Sequence, residues 1–390
     1  MLQSDFVIAG GGVAGLAVAR ELLRAGASVT LIEAGTLAGG TSRVAAGMLA
    51  PLVEARLAER DLLRLGSAAL TYWEGYAEEI SADSGVDIGY RSEGTLIVGI
   101  EPDHQRTIEH FAEEYRALEL PIEPVGYHEC RELEPMLSPT VTGGLFAPLD
   151  RQVDNRALLR ALVQGIEREP RGRIVEGVRV TDIGWDRAGG LRIGTDREEI
   201  RGGGIILAPG AELRRVRGLP GYIERIVRPV KGEILRLAQP EGPLLRHVVR
   251  TPEVYLVPKS DGTLVVGASS EERGFEREIR LGPLFELLRA AWETLPGVYE
   301  LPIIEQGVGF RPATLDHAPI VGPVGPGPIW VVGGFYRHGI LFAPWVAHCI
   351  ADYLMNQNTR RDDGYERESD SDLPESLRDF DPRRFDTGHL

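Results

Sequence analysis

Two hydrophobic periods alternate at the start of the chain. Phe6 to Ala9 is an apolar run of strand length, Val13 to Leu23 carries apolar residues at helical period, and Ser28 to Ile32 is a second strand-like run. Between the first run and the helix, Gly10, Gly12 and Gly15 stand in G-x-G-x-x-G spacing, and Glu33 follows the second run. The pattern predicts strand, glycine turn, helix, strand and acid, an arrangement that holds a dinucleotide. Gly10 permits the tight turn, Gly12 lets the backbone approach a pyrophosphate, and Gly15 lets the helix lie close to the sheet. The pyrophosphate meets the positive end of the helix, and Glu33 takes the ribose hydroxyls.

Further along, Gly204 to Ala208 repeats the buried-strand pattern and runs into Pro-Gly-Ala, and Asp154 precedes an amphipathic helix as its N-cap. Both suit the nucleotide sheet. Glu93 to Ile100 and Val227 to Ser269 are strand-rich instead, and Glu253 to Ser269 reads as a hairpin turned at Ser260-Asp261-Gly262. The expected fold is therefore α/β (α+β overall). A Rossmann-like dinucleotide-binding domain, residues 1–84, 147–223 and 306–358, is interleaved with an antiparallel-sheet substrate domain, residues 85–146 and 224–305. Pro344 suits the first turn of a helix running through Trp345 to Met355. Residues 359–390 read as a charged C-terminal tail, solvated or partly disordered, with Phe380 and Phe385 as docking points.

Composition narrows the class. The 390 residues carry a net charge of −15, which argues against a nucleic-acid partner. Strand pattern begins almost at once, so no secretory signal is expected, and no apolar run reaches membrane-spanning length. Cys130 and Cys349 make neither a disulfide framework nor a metal spacing, so a reducing, cytoplasmic setting and no metal are expected. Lys231 and Lys259 are the only lysines among abundant arginines, which reads as genomic bias.

Three loop segments carry the chemistry: GTLAGGTSRVAAGMLAP after Glu33, GFRPATLDHAPIVGP from Gly309 to Pro323, and VVGGFYRHGILFAP from Val331 to Pro344. The small residues of the first, with Thr41 and Ser42 as hydroxyl donors, suit a flat ring lying against main chain. With the N-terminal fingerprint, AAGM, VYLVP, VVGAS and RHGIL, the chain resembles the FAD-dependent amine oxidases of the D-amino acid oxidase superfamily, within it the glycine oxidase family of thiamine biosynthesis. The likeness extends to about Asp352 and makes the first domain FAD-binding.

That resemblance implies FAD contacts from Val13, Ala14, Glu33, Ala34, Thr41, Ser42, Ala46, Gly47, Met48 and Val178, with Phe335, Tyr336, Arg337, His338, Gly339, Ile340 and Leu341 wrapping the flavin. It implies substrate binding by Arg311 and Arg337, with Tyr255 fixing the carboxylate. A guanidinium fork matches a carboxylate, and Arg337 lies inside an otherwise apolar stretch, which calls for a partner. Other readings stand beside these: Arg311 paired with Asp316, Arg337 in a structural ion pair, Tyr255 as an ordinary strand aromatic, and His338 in a solvent or backbone contact. Neither cysteine matches a flavin-attachment site, so FAD is expected to be non-covalent.

The expected reaction is oxidation of glycine, another small amino acid or an N-alkyl glycine to the imine, with dioxygen reduced to peroxide. The resemblance also implies a link to thiazole synthase and a homo-oligomer. Two alternatives remain at this level: a D-amino acid dehydrogenase passing electrons to a quinone or other carrier, and a non-catalytic flavin-fold binding subunit. Where the resembled family carries histidine, methionine and histidine, this chain has Glu253, Ser270 and Phe335. Serine for methionine is expected to open a pocket wall and favour a substrate with a small side chain.

Overall fold

A computed structural model describes residues 3–54, 56, 58–362 and 373–386. The chain opens a first sheet with β1 (Gln3–Ala9), α1 (Val13–Arg24) and β2 (Val29–Glu33), then passes through α2 (Thr41–Val44), β3 (Met48–Leu49) and the long α3 (Arg60–Ser84). A second sheet begins with β4 (Thr95–Gly99), α4 (Pro102–Ala117), β5 (Glu123–Gly126), α5 (Tyr127–Leu133) and β6 (Gly143–Ala147). The chain returns through β7 (Arg151–Gln152), α6 (Asn155–Arg168), β8 (Gly172–Glu176), β9 (Val180–Trp185), β10 (Leu191–Thr195) and β11 (Glu199–Leu207). It crosses again through α7 (Ile223–Ile226), β12 (Arg228–Ala238), β13 (Val248–Arg250), β14 (Tyr255–Pro258), β15 (Thr263–Gly267), α8 (Leu281–Thr294) and β16 (Ile303–Ala313). It ends with β17 (Ile320–Pro323), β18 (Ile329–Gly333) and α9 (Gly339–Asp362).

The first sheet runs β17-β18-β11-β1-β2-β8. Its central pairs are parallel, as the buried apolar runs require, and the β9–β10 hairpin hangs on β11. Helices α1, α3, α6 and α9 cover one face around Leu16, Leu22, Trp73, Leu158 and Val346. Asp154 caps α6, its carboxylate accepting the Arg156 and Ala157 N–H groups. Gly85, at φ 70°, ends α3 in the left-handed region and turns the chain toward the second sheet.

The second sheet runs β16-β12-β15-β14-β13-β4-β6-β5 and is antiparallel except where β13 meets β4. β16 pairs along β12 from Arg228↔Ala313 to Leu237↔Ile303, so the strand that the boundary at 306 divides lies wholly in this sheet. The chain rejoins the first sheet only after Ala313. Another difference concerns α9, which starts at Gly339 rather than after Pro344; the Phe342 N–H donates to the His338 carbonyl and Pro344 lies inside the helix. Five residues expected in a loop or at its rim therefore belong to the first helical turns. The tail also divides: Leu373, Leu377 and Phe380 are buried against the first domain, Phe385 packs on its other apolar cluster, and Arg384 pairs with Asp316.

Candidate functional site

The carboxyl ends of β1, β2 and β11 and the inner side of β12, β14 and β16 enclose a cleft of about 570 Å³. A ligand site at this edge of a parallel sheet follows from the topology, because helix starts and strand ends converge there. Of the residues that the glycine fingerprint and the resemblance assign to cofactor or substrate, all line it except Gly15 and Leu341. Gly15 lies behind the turn, where an added Cβ would come within 1.9 Å of the Gly10 carbonyl oxygen. Leu341 is buried in the helical core, its carbonyl accepting from the Trp73 indole.

The half of the cleft formed by the first sheet is mostly main chain. Gly10 has φ 119° and its backbone passes so close to β11 that a Cβ would lie 2.3 Å from the Ala208 oxygen. At Gly12 a Cβ would meet only Ser42 Oγ, at 3.4 Å, so the turn presents open backbone. Glu33 accepts the Gly11 N–H through one oxygen at 2.7 Å and the Gly35 N–H through the other at 2.8 Å. Each carboxylate oxygen keeps a further lone pair for a hydroxyl. The Val13 N–H donates to Ser42 Oγ at 3.0 Å. The Thr41 hydroxyl is spoken for: it donates to the Phe310 carbonyl and accepts the Phe310 N–H, both at 2.9 Å, and so clasps α2 to β16.

Ala45 to Met48 continue this backbone wall. Asn155 Nδ2 donates to the Ser42 and Arg43 carbonyls at 2.8 and 3.0 Å, and the Val153 N–H donates to the Gly47 carbonyl at 2.8 Å. A Cβ on Gly47, whose φ is 78°, would lie 2.2 Å from the Val153 oxygen. Behind it the buried Lys259 ammonium donates to the Val153 carbonyl at 2.8 Å and to Gln152 at 3.2 Å, and burial pulls its pKa down to about 7. Open backbone at a helix start, an acid at the second strand end and a slim main-chain wall fit the adenosine, pyrophosphate and ring of FAD.

The opposite half is built from long side chains. Arg311, on β16, donates to the Ser269 carbonyl at 3.0 Å and sits beside the Tyr255 hydroxyl. Two glycines make room for them: a Cβ on Gly232 would lie 2.6 Å from the Arg311 guanidinium, and one on Gly267 2.4 Å from the Tyr255 ring. Arg311 does not pair with Asp316, which is held instead by Arg384, Thr314 and the Ala318 N–H. Burial raises the Tyr255 pKa against the opposing pull of Arg311, so the phenol stays protonated.

Glu54 joins this group without having been anticipated. Its carboxylate is 3.4 Å from Arg250, 3.8 Å from Arg337 and 3.5 Å from His338 Nδ1. Burial would raise its pKa, but His338, Arg337, Arg250 and Arg311 overcome that and hold it at about 2. His338 itself is pushed down by burial, against the pull of Glu54. Arg337 thus both lines the cleft and has an ion-pair partner. The signal for Glu54 is a lone acid closing the apolar run from Met48 to Val53, where an unpaired charge would be costly.

The expected pocket-wall role of Ser270 is overturned. Ser270 is exposed and outside the cleft lining; it is the carbonyl of its neighbour Ser269 that holds Arg311. Glu253 faces away as well, toward Thr251 and His104. Phe335 is buried on the cleft wall. Cys130 and Cys349 are free thiols outside the cleft, and among the described residues no cluster of His, Cys, Asp or Glu has the makings of a metal site.

Residues 5–353 match the model of the FAD dependent oxidoreductase family. The bifunctional protein ThiO/ThiG of Nostoc sp. is 33% identical over 361 residues, which are 92% of this chain and 54% of that protein; the chain spans about half the length of such relatives. The putative thiamine biosynthesis oxidoreductase ThiO of Rhizobium etli is 32% identical, over 90% of this chain and 96% of its own. The crystal structure of glycine oxidase from Geobacillus kaustophilus superposes with a TM-score of 0.86 at 28% identity, covering 100% of both chains.

Proposed function

The chain belongs to the FAD-dependent oxidoreductase family, and on that premise we propose that it oxidises glycine or a small N-alkyl glycine to the imine. The observation that carries the reading is the convergence of Arg311, Arg337 and Tyr255 on one end of a cleft whose other end is backbone suited to FAD. Bound FAD supplies the two-electron oxidant and is returned by dioxygen, which leaves as peroxide. Gly10, Gly12, Val13, Glu33 and the Ala46 to Met48 backbone would hold the cofactor, without a covalent link. Arg311 receives the substrate carboxylate in its planar fork, and the Tyr255 hydroxyl donates to the same group. Arg337, tethered by Glu54, completes the positive end and holds the α-carbon in one orientation.

No residue in this arrangement needs to act as base. His338 is neutral at pH 7, with its pKa below the ordinary value, and Tyr255 stays protonated. Loss of hydride from the α-carbon draws on the amine lone pair, so the substrate reacts in its unprotonated form. The resemblance to thiamine-biosynthesis relatives supports delivery of the imine to thiazole synthesis in the cytoplasm; among the described residues no helix is long and apolar enough to cross a membrane. The test is a panel of glycine, sarcosine, D-alanine and D-proline with peroxide and flavin bleaching as readouts. Stoichiometric peroxide with glycine or sarcosine supports the reading. Anaerobic bleaching without peroxide turns it toward a dehydrogenase, and no bleaching by any amino acid overturns it.

A further inference from the structure

The docked C-terminal segment comes close to the substrate end of the cleft without lining it. Leu373, Leu377 and Phe380 are buried on the first domain, and Pro382 lies against Gly322 of β17, where an added Cβ would come within 2.9 Å of the proline ring. This seats Arg384 over the loop that follows β16. Its guanidinium donates to both Asp316 oxygens, at 2.8 and 3.1 Å, and to the Ala318 carbonyl at 3.2 Å. Asp316 also accepts from the Thr314 hydroxyl at 3.1 Å and from the Ala318 N–H at 3.0 Å. An isolated surface ion pair contributes little, but a bidentate fork closed by further bonds fixes geometry.

The loop held in this way carries His317, whose ring stacks on that of Tyr336 at 4.7 Å and 19°. Both residues have left-handed backbones, at φ 60° and 48°, a conformation that residues other than glycine rarely adopt. It persists only where the surroundings hold it. Tyr336 is held by its N–H, which donates to the Pro312 carbonyl at 3.1 Å, and by the stack. His317 Nε2 accepts from Arg228 at 3.0 Å, and the rest of its support is the loop that Arg384 fastens. Arg337 follows directly, its guanidinium 5.2 Å from the Tyr336 ring centre and 3.8 Å from Glu54. We propose that Arg384 is a positioning residue for Arg337: through Asp316 and the His317–Tyr336 stack, the docked tail sets where Arg337 meets the substrate. This rests on the proposed place of Arg337 at the substrate end. None of Arg384, Asp316 and His317 lines the cleft, so they act through Tyr336. The docked tail also lies past residue 353, outside the stretch that matches the family.

Arg384→Met removes the fork and keeps the stem over the Phe385 ring. Asp316→Asn cuts the same fork from the other side and keeps an oxygen for Thr314 and the Ala318 N–H. Amide hydrogen exchange of the FAD-loaded protein reads the turn without any substrate. In both variants exchange across residues 331–341 should quicken about 2- to 30-fold, the range over which residues along a coupled network act, with flavin content and unfolding midpoint kept as checks of folding. The limiting rate of flavin reduction by glycine should fall by a similar factor. His317→Ala should lose as much, and Arg384→Met combined with His317→Ala no more than either alone, because both cut one line of support. Exchange across 331–341 that ignores both fork variants overturns the proposal. So does quickened exchange beside an unchanged reduction rate, or losses that add in the double variant. A wild type that no amino acid reduces overturns the proposed reaction instead, and the exchange rates then decide the coupling.

Discussion

The two halves of the cleft are made of different material. Around Gly10, Gly12 and Ala45 to Met48 the surface is backbone, and each requirement is met by the absence of a side chain. Around Arg311 it is long side chains drawn from four separate places, Glu54, Tyr255, Arg311 and Arg337, with Arg250 paired to Glu54 outside the lining. A backbone site is fixed once its local turn is formed. A side-chain site exists only when the second sheet, α2 and the start of α9 are all in place. Damage to the first half should thus remove the cofactor, and damage to the second should spare the cofactor and remove the substrate.

Arg311 gives the sharpest separation. Arg311→Met leaves a substrate carboxylate facing Tyr255 and Arg337 without its fork, and loss of one member of a desolvated charged pair costs about 2–5 kcal/mol, or roughly 30- to 5,000-fold in kcat/KM. Arg311→Lys should also be poor, because a point charge cannot reproduce two parallel bonds. FAD content should remain that of the wild type. Stopped-flow reduction of the flavin by glycine, against flavin absorbance per chain, measures both sides; unchanged kcat/KM would break the assignment.

Glu54 tests the same half through pH. Its pKa lies below that of an ordinary glutamate, so the stability it contributes is fully present above about pH 4.5 and is lost as pH falls toward 2. The shift corresponds to something on the order of 3 kcal/mol. Urea unfolding of wild type and Glu54→Gln should therefore differ most at pH 6 to 7 and converge as the solution is acidified, and a constant difference down to pH 3 would show that the carboxylate is not held by its arginines. Catalysis should follow another group. With Glu54 ionised, His338 neutral and Tyr255 protonated between about pH 7 and 9, kcat/KM should rise with pH as the substrate amine loses its proton.

On the cofactor side, Gly10→Ala combines a left-handed φ of 119° with a Cβ placed 2.3 Å from the Ala208 oxygen. Strain and overpacking of this kind cost about 1–3 kcal/mol. The variant should unfold earlier and lose FAD on gel filtration, and any protein that retains flavin should bind substrate as before. Flavin retention equal to wild type would deny the turn its part in the cradle.

This difference in material also governs what the sequence discloses. The strand, glycine turn, helix and acid from Phe6 to Glu33 are contiguous, and the hairpin from Tyr255 to Gly267 is nearly so; both are legible from period and turn chemistry. Asp154 as a cap was legible for the same reason. Glu54 was not, because its meaning depends on arginines nearly 200 and 300 residues away that only the sheet order brings to it. The start of α9 was misplaced because Pro344 was assigned to a first turn, whereas the helix already runs from Gly339 on capping bonds that no residue type announces. The two lysines the chain keeps are both buried, Lys231 donating to the Glu278 carbonyl and pairing with Glu233, and Lys259 bracing the wall behind Gly47. A compact ammonium fits where a guanidinium plane does not.

The smallest expected effect lies at the position where composition alone suggested a large one. Ser270 is exposed beside the residue whose carbonyl holds Arg311, so Ser270→Met adds volume to solvent rather than to the cleft. Surface changes of this kind stay within about 0.5 kcal/mol, and the ranking of glycine, sarcosine, D-alanine and D-proline by kcat/KM should be the same in the variant. One carbon at the right place should do far more. A Cβ on Gly232 would sit 2.6 Å from the Arg311 guanidinium, and Gly232→Ala must push that fork off the Ser269 carbonyl. The pair of variants weighs side-chain size against side-chain position: a substrate ranking that moves with Ser270→Met and ignores Gly232→Ala would place the pocket wall on the wrong side of the strand.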